Sequence, residues 1–161
     1  MAPGVGLIFV PSLPMEPRDG GLVKILLVED SRALRLENER ALLKAGYAVI
    51  CAEDGESALQ LAGEQKPDLI LLDLLLPKMS GLEVLDYLKN TTGTAHIPVV
   101  VLSALYEKNR EKLIAAGAED YLEKNSLMQN GQNLLPRVLE DVICRINRKR
   151  GIAFASVPTS L

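Results

Sequence analysis

Residues 68–73 read DLILLD: four consecutive apolar residues follow one aspartate and end at another, Asp73. Two further runs have the same character, VKILLV at 23–28 and PVVVL at 98–102. Strands covered on both faces of a parallel sheet are almost wholly apolar, whereas strands with one wet face alternate between apolar and polar residues. The three runs therefore predict the central strands of a parallel sheet.

Two weaker strand candidates, YAVIC at 47–51 and DYLE at 120–123, are expected nearer the edges of that sheet. Segments with helical periodicity follow the five candidates at 31–45, 56–65, 81–90, 108–116 and 133–149. Five strand–helix repeats predict an α/β fold of the flavodoxin-like type. This is a doubly wound five-stranded parallel sheet, strand order 2-1-3-4-5, with five helices.

The length of 161 residues suits a single domain with short extensions. We expect the domain at 22–150, between a disordered or tag-like leader at 1–21 and a flexible tail at 151–161. The leader holds four prolines and no amphipathic period. Its apolar stretch is short, has no lysine or arginine before it and runs into Pro11, so it does not fit a signal peptide.

Composition and charge narrow the class of protein. A net charge of −3 argues against direct nucleic-acid binding, because clustered lysines and arginines hold phosphate backbones. No apolar run approaches the roughly 20 residues that a membrane helix needs. Cys51 and Cys144 lack metal-ligand spacing and are predicted to be free thiols of a reducing compartment. We therefore expect a cytoplasmic protein that binds neither nucleic acid nor membrane.

Two other features have ordinary structural interpretations. His96, the only histidine, lies in a polar loop without partners at metal-ligand spacing. The basic run at 145–150 closes the last helix, where cations stabilise the helix dipole. The alternatives for this run are a contact patch for an acidic partner or the start of a linker.

Glu29, Asp30 and Asp73 each stand where an apolar strand ends. Because the carboxyl ends of parallel strands meet at one crevice, the three carboxylates should converge there. Such carboxylates repel one another unless a cation neutralises them, and Mg²⁺ suits a few carboxylates that leave room for water ligands. The alternative is that Glu29 and Asp30 cap the first helix and Asp73 caps the next loop.

The chain resembles the receiver domain of bacterial two-component response regulators, over about residues 23–147. The matching motifs accompany the five predicted strands in order: Glu29-Asp30, AEDGESA at 52–58, DLLLPKMSG at 73–81, Ser103-Ala104 and AGAEDYLEK at 116–124. Two positions depart from the family pattern. Asn125 stands where most relatives have a proline, which affects the loop after the fifth strand and the aim of Lys124. The acidic pair is Glu-Asp rather than Asp-Asp.

The resemblance implies a phosphorylation-dependent signalling switch. Asp73 would accept a phosphoryl group from a histidine kinase or phosphotransfer protein. Lys124 and Ser103 would contact the phosphoryl oxygens, and Tyr121 would turn inward as the switch residue. The resemblance also implies an Mg²⁺ ion held by Glu29, Asp30, Asp73 and the backbone carbonyl of Leu75.

The resemblance further implies that phosphorylation changes the surface of helix 4, strand 5 and helix 5, through which a homodimer would form. We expect no enzyme activity beyond the chain's own phosphorylation and dephosphorylation. Two alternatives stay open: a phosphatase with an aspartate nucleophile, and an unphosphorylated receiver-like scaffold. Haloacid-dehalogenase-type phosphatases generally carry a second aspartate two residues after the first, where this chain has Leu75.

Two leucines bear on the lifetime of the phosphorylated state. In receiver domains, the residues two positions after the acceptor aspartate and after the hydroxyl residue flank the approach of the hydrolytic water. Here these residues are Leu75 and Leu105. Since neither can hydrogen-bond a water, the phosphorylated state is predicted to be long-lived for the family.

Overall fold

The computed structural model describes residues 22–104 and 110–151. Within them the chain forms a five-stranded parallel sheet in the order β2-β1-β3-β4-β5. Its strands are β1 (Lys24–Val28), β2 (Ala48–Ala52), β3 (Leu69–Asp73), β4 (Val99–Ser103) and β5 (Asp120–Glu123). The helices are α1 (Arg32–Lys44), α2 (Gly55–Gln65), α3 (Gly81–Lys89), α4 (Arg110–Ala115) and α5 (Leu135–Lys149). The α/β fold, the strand order and the five helices are as predicted.

Burial explains why the strands occupy these positions. All residues of β3 and β4 are buried, and so is β1 after its first residue. The two weaker strand candidates form the two edges of the sheet, as predicted. Successive strand residues point to opposite faces, so Leu27 and Leu71 pack with α1 and α5, whereas Leu26 and Leu72 pack with α2 and α3. Two apolar layers thus enclose the sheet.

The segment between β5 and α5 differs from the prediction. A 3-10 helix (Lys124–Ser126) is followed by a small antiparallel hairpin, β6 (Met128–Gln129) and β7 (Gln132–Asn133), so α5 begins at Leu135 rather than at 133. Asn130 and Gly131 have φ angles of 50° and 75° at its turn. A two-residue turn with positive φ at both positions favours Asn-Gly, so this dipeptide is the sequence signal that was overlooked.

Several expectations concern parts of the chain outside the description. The leader at 1–21 and the tail from 152 lie outside the described residues, as do Leu105 and the first two residues of the predicted fourth helix. Among the described residues, no helix is both long enough and apolar enough to span a membrane. Cys51 and Cys144 are free thiols, as predicted.

The basic run at 145–150 has partners within the domain. Arg145 forms an ion pair of 2.5 Å with the buried carboxylate of Asp120, and Arg150 forms one of 3.5 Å with Glu119. Arg150 also donates a hydrogen bond of 3.0 Å to the backbone carbonyl of His96. At least two cations of this run therefore tie α5 to β5 and to neighbouring loops, in addition to stabilising the helix dipole.

Candidate functional site

The predicted acidic residues meet at the carboxyl edge of the sheet. Glu29 directly follows β1, Asp30 comes next, and Asp73 is the last residue of β3. One carboxylate oxygen from each lies within 4.8 Å of those from the other two. Ser31, not an acidic residue, is the N-cap of α1, and Ser80 is the N-cap of α3. The first helix is therefore capped by Ser31 and not by Glu29 or Asp30, whereas Asp73 does accept a hydrogen bond from the loop that follows it, the N–H of Leu75.

Lys124 completes the cluster from the end of β5. Its Nζ donates hydrogen bonds of 2.5 Å to Glu29 Oε2 and 2.9 Å to Asp73 Oδ2. The side chains of Glu29 and Asp73 are 1% and 4% exposed, and that of Lys124 is 18% exposed. Asn125, at the position where most relatives have a proline, lies in the 3-10 helix that follows β5. Lys124 nevertheless contacts both carboxylates. The departure at Asn125 therefore does not turn the lysine away from the site.

Burial and charge shift the pKa values of this network. Burial, reinforced by the charge of Asp73, raises the pKa of Glu29 against the opposing hydrogen bond from Lys124. Burial by itself would lower the pKa of Lys124. The hydrogen bonds to Asp73 and Glu29, together with the charges of both carboxylates, outweigh that effect and raise the pKa above the ordinary lysine value. Lys124 is thus held as an ammonium ion, and a second cation would favour the ionised form of Glu29.

The loop after β3 fixes the orientation of Asp73. Asp73 Oδ1 accepts a hydrogen bond of 3.1 Å from the backbone N–H of Leu75, so each oxygen of this carboxylate has its own donor. Gly81 donates its N–H to the carbonyl of Leu74 at 2.9 Å. A Cβ at position 81 would lie 2.4 Å from the carbonyl oxygen of Asp73. Only glycine permits this close return of the chain beneath the site.

Ser103 and Tyr121 lie on the neighbouring strands. Asp73 pairs with Leu102 in the register of β3 and β4, and Ser103, fully buried, is the next residue of β4. Tyr121 is 5% exposed in β5 and packs in the apolar layer that contains α3 and Leu113 of α4. Both residues therefore lie on the sheet where the sequence predicts them, with Ser103 beside Asp73.

The family of the chain can be stated from a comparison with known proteins. The model of the response regulator receiver domain matches residues 25–135. The chain belongs to this family. Such receiver domains serve two-component signalling and interact with histidine kinases or phosphotransfer proteins.

Individual relatives of this receiver domain agree with the assignment. Response regulator MprA of Mycolicibacterium vanbaalenii is 37% identical over 125 residues, which is 77% of this chain and 48% of that protein. Polar-differentiation response regulator DivK of Brucella anthropi is 41% identical over 102 residues, 62% of this chain and 82% of that protein. The receiver domain thus spans about half the length of the MprA relatives.

Solved structures resemble the receiver domain over most of its length. Chemotaxis protein CheY4 of Vibrio cholerae has a TM-score of 0.67 at 27% identity, covering 78% of this chain and 99% of that one. The receiver domain of sensor histidine kinase PA1611 from Pseudomonas aeruginosa has a TM-score of 0.65 at 31% identity, covering 77% and 98%. That structure has a magnesium ion coordinated in its active site cleft.

The donor set of this receiver domain fits such an ion. Glu29, Asp30 and Asp73 offer only oxygen ligands, which Mg²⁺ prefers. Asp30 is exposed, which leaves a side of the cluster open to the water ligands that Mg²⁺ retains. Leu75, whose carbonyl is the fourth predicted ligand, belongs to the loop that hydrogen-bonds Asp73. The oxygen ligands of this cluster are therefore suited to a hard divalent cation such as Mg²⁺.

One residue close to the cluster was not predicted from the sequence. Arg35 of α1 donates hydrogen bonds from Nη1 to the backbone carbonyls of Glu29 at 2.8 Å and Asp30 at 3.4 Å. Its signal in the sequence is only an arginine five residues after the acidic pair. That spacing becomes meaningful when the helix is known to begin at Arg32.

Proposed function

We propose that this receiver domain is a phosphorylation-dependent switch. Asp73 accepts a phosphoryl group from a histidine kinase or phosphotransfer protein, in an Mg²⁺-dependent reaction. The observation that carries this proposal is the contact of buried Asp73 with Lys124, 2.9 Å away, at a cluster of three carboxylates.

The phosphoryl transfer uses Asp73 as the nucleophile. A carboxylate oxygen attacks phosphorus, a P–O bond to Asp73 forms, and the bond to the donor's leaving group breaks with its electron pair staying on that group. The Leu75 N–H and the Lys124 ammonium hold the two oxygens of Asp73 in position before the attack. Lys124 then pairs with a phosphoryl oxygen. Glu29, Asp30, Asp73 and the Leu75 carbonyl would hold the Mg²⁺ ion, which would supply charge neutralisation.

The switch itself involves the neighbouring strands. Ser103, next to the Asp73 register position, donates its hydroxyl hydrogen to a phosphoryl oxygen, and the packing of Tyr121 follows the loop after β4. Asp120 of β5 forms ion pairs with Arg110 of α4, at 3.2 Å, and with Arg145 of α5. Because one buried carboxylate connects these elements, α4, β5 and α5 change together. Three proposals accompany this one: the domain forms a homodimer through the surface of α4, β5 and α5, it does not bind nucleic acid directly, and it is cytoplasmic.

The test is phosphorylation with a small-molecule donor such as acetyl phosphate in Mg²⁺, measured by intact mass. The wild type should gain one phosphoryl group, and Asp73→Asn should gain none. Asp68→Asn is the matched control, because Asp68 lies just before β3, at the other end of the strand, and should leave labelling unchanged. Undiminished labelling of Asp73→Asn would reject the proposed acceptor.

The same experiment, together with a parallel incubation with a phosphomonoester, distinguishes the alternative functions. A scaffold would accept no phosphoryl group under any condition. A phosphatase would turn over a phosphomonoester continuously, whereas the proposed switch acts only on its own acyl phosphate. Leu75 cannot donate a proton from its side chain to a leaving group, which supports the switch over the phosphatase.

A further inference from the structure

Helix α1 contacts the site through polar side chains. Only Leu42, near its carboxyl end, is fully buried among its residues. The amino-terminal half of α1, which lies beside the acidic pair, therefore has no fully buried apolar anchor. Arg35 and Asn38 are partly buried in this half. Since they are three residues apart, they lie on one face of the helix.

Arg35 holds the loop that carries the acidic pair. Glu29 and Asp30 lie between the end of β1 and the N-cap of α1, so their carbonyls are outside both elements. The Arg35 guanidinium donates to both, at 2.8 and 3.4 Å, and its side chain is 16% exposed. Its ion pair with Glu53 is 3.7 Å long and involves a carboxylate that is 72% exposed, so it contributes little. The carbonyl contacts are the main role of this side chain.

Asn38 connects the same helix to the segment that carries Lys124. The Asn133 amide donates from Nδ2 to Asn38 Oδ1 at 2.8 Å. Its Oδ1 accepts the Leu135 N–H at 2.9 Å, which fixes the orientation of the amide. From Asn133 the chain returns to the site by backbone hydrogen bonds, Leu134 N–H to the Leu127 carbonyl and Leu127 N–H to the Lys124 carbonyl.

We propose that α1 sets the separation between the acidic pair and Lys124, with Arg35 and Asn38 as positioning residues. This inference rests on the proposed function and assigns a different effect to each residue. Arg35 supports residues that would hold the ion, so it governs Mg²⁺ affinity. Asn38, through Asn133, supports the lysine that would pair with the phosphoryl group, so it governs the phosphorylation rate at saturating Mg²⁺.

The Arg35 test is calorimetric Mg²⁺ titration of the unphosphorylated protein. Arg35→Met should weaken binding by at least about tenfold, the usual loss when a group that orients metal ligands is removed. Arg35→Lys, which keeps a cationic donor, should recover part of the loss and serves if Arg35→Met does not fold. Arg40→Met is the matched control, an exposed arginine on the same helix, and should bind as the wild type. Equal or tighter Mg²⁺ binding by both Arg35 variants would show that Arg35 does not support the ligands of the ion and would overturn the inference.

The Asn38 test is a double-mutant cycle. Each single variant, Asn38→Asp or Asn133→Asp, keeps the hydrogen bond between positions 38 and 133, because the new carboxylate accepts from the amide that remains. In Asn133→Asp the new carboxylate can also still accept the Leu135 N–H. The double variant opposes two carboxylates and breaks the link. At saturating Mg²⁺, the phosphorylation rate of the double variant should lie about fivefold below the value expected from multiplying the effects of the two single variants. Its Mg²⁺ affinity should equal the value expected from multiplying the single effects. Multiplicative rates would overturn the assignment of Asn38.

The two measurements also separate positioning from a structural role. If every variant loses affinity and rate together, in proportion to its loss of unfolding free energy, the inference is wrong. If the wild type accepts no phosphoryl group, the proposed function fails, and the Mg²⁺ affinities of the Arg35 variants still decide whether α1 positions the acidic pair.

Discussion

Replacing Lys124 with methionine should destabilise the protein by about 3 kcal/mol in the presence of a chelator. Lys124 is 18% exposed, whereas its partners Glu29 and Asp73 are 1% and 4% exposed. Removing one partner of a buried ion pair costs about 3–5 kcal/mol, since an uncompensated charge stays buried. The partial exposure of Lys124 and the exposed neighbour Asp30 place the loss at the lower end of this range.

Magnesium should reduce this loss. The ion and the lysine neutralise the same carboxylates, so Mg²⁺ should bind more tightly when the ammonium is absent. Tighter binding adds more stabilisation by mass action, and a tenfold gain in affinity is worth about 1.4 kcal/mol at saturation. The difference between Lys124→Met and the wild type should therefore fall from about 3 to below about 2 kcal/mol in excess Mg²⁺.

The assay is urea unfolding of both proteins, with chelator and with excess Mg²⁺. Lys89→Met is the matched control, because Lys89 is half-buried and donates to the carbonyls of Ala95 and Ile97, distant from the carboxylates. Its loss of stability should be the same with and without Mg²⁺. A Lys124→Met deficit that Mg²⁺ leaves unchanged would refute the shared neutralisation of these carboxylates.

Three further predictions concern single features. Gly81→Ala should destabilise the protein by about 2 kcal/mol or more in urea unfolding, because the added Cβ would meet the backbone carbonyl of Asp73. Gly63→Ala, its control in α2, has open space around the added Cβ and should stabilise the protein by about 0.5–1 kcal/mol in the same assay. Burial raises the pKa of Tyr47 to about 12, so stability should fall by roughly 1.4 kcal/mol per pH unit between about pH 10 and 12, and Tyr47→Phe should remove this slope from alkaline unfolding curves. The acyl phosphate should decay at least about tenfold slower than in receivers with polar residues at the positions of Leu75 and Leu105, which corresponds to about 1.4 kcal/mol of activation barrier. The double variant Leu75→Asn with Leu105→Glu should shorten this lifetime in a mass-based decay assay. Decay of the wild-type phosphate within seconds would contradict the last of these.

The central sheet could be predicted because burial on both faces leaves a direct trace in the sequence. A run such as LILL at 69–72 is compatible with few environments, and a strand that ends in Asp73 at a parallel-sheet edge places that carboxylate in the crevice. The convergence of Glu29, Asp30 and Asp73 follows from topology alone, without any knowledge of side-chain conformation. Strand ends are therefore the part of this site that sequence reasoning predicts well.

Side-chain contacts between distant loops could not be predicted in this way. The hydrogen bond from Asn133 to Asn38 depends on a hairpin that shifts the start of α5, and on the rotation of α1 about its axis. Neither is visible in an apolar pattern, because the hairpin strands have only two residues each and α1 has a single buried residue, Leu42. Arg35 was overlooked for the same reason, since its partners are backbone carbonyls that any residue would provide.

The charges of the site favour a bound cation and indicate which contacts a phosphoryl group would change. Three carboxylates and one ammonium leave two negative charges when all are ionised, and burial opposes this state, as the raised pKa of Glu29 indicates. A divalent cation compensates this excess and therefore favours the fully ionised cluster. A phosphoryl group on Asp73 would then add negative charge beside Lys124, which already contacts that carboxylate. The lysine would then divide its hydrogen bonds between Glu29 and the new oxygens, so phosphorylation would change the contacts at the end of β5, the strand that also carries Tyr121 and Asp120.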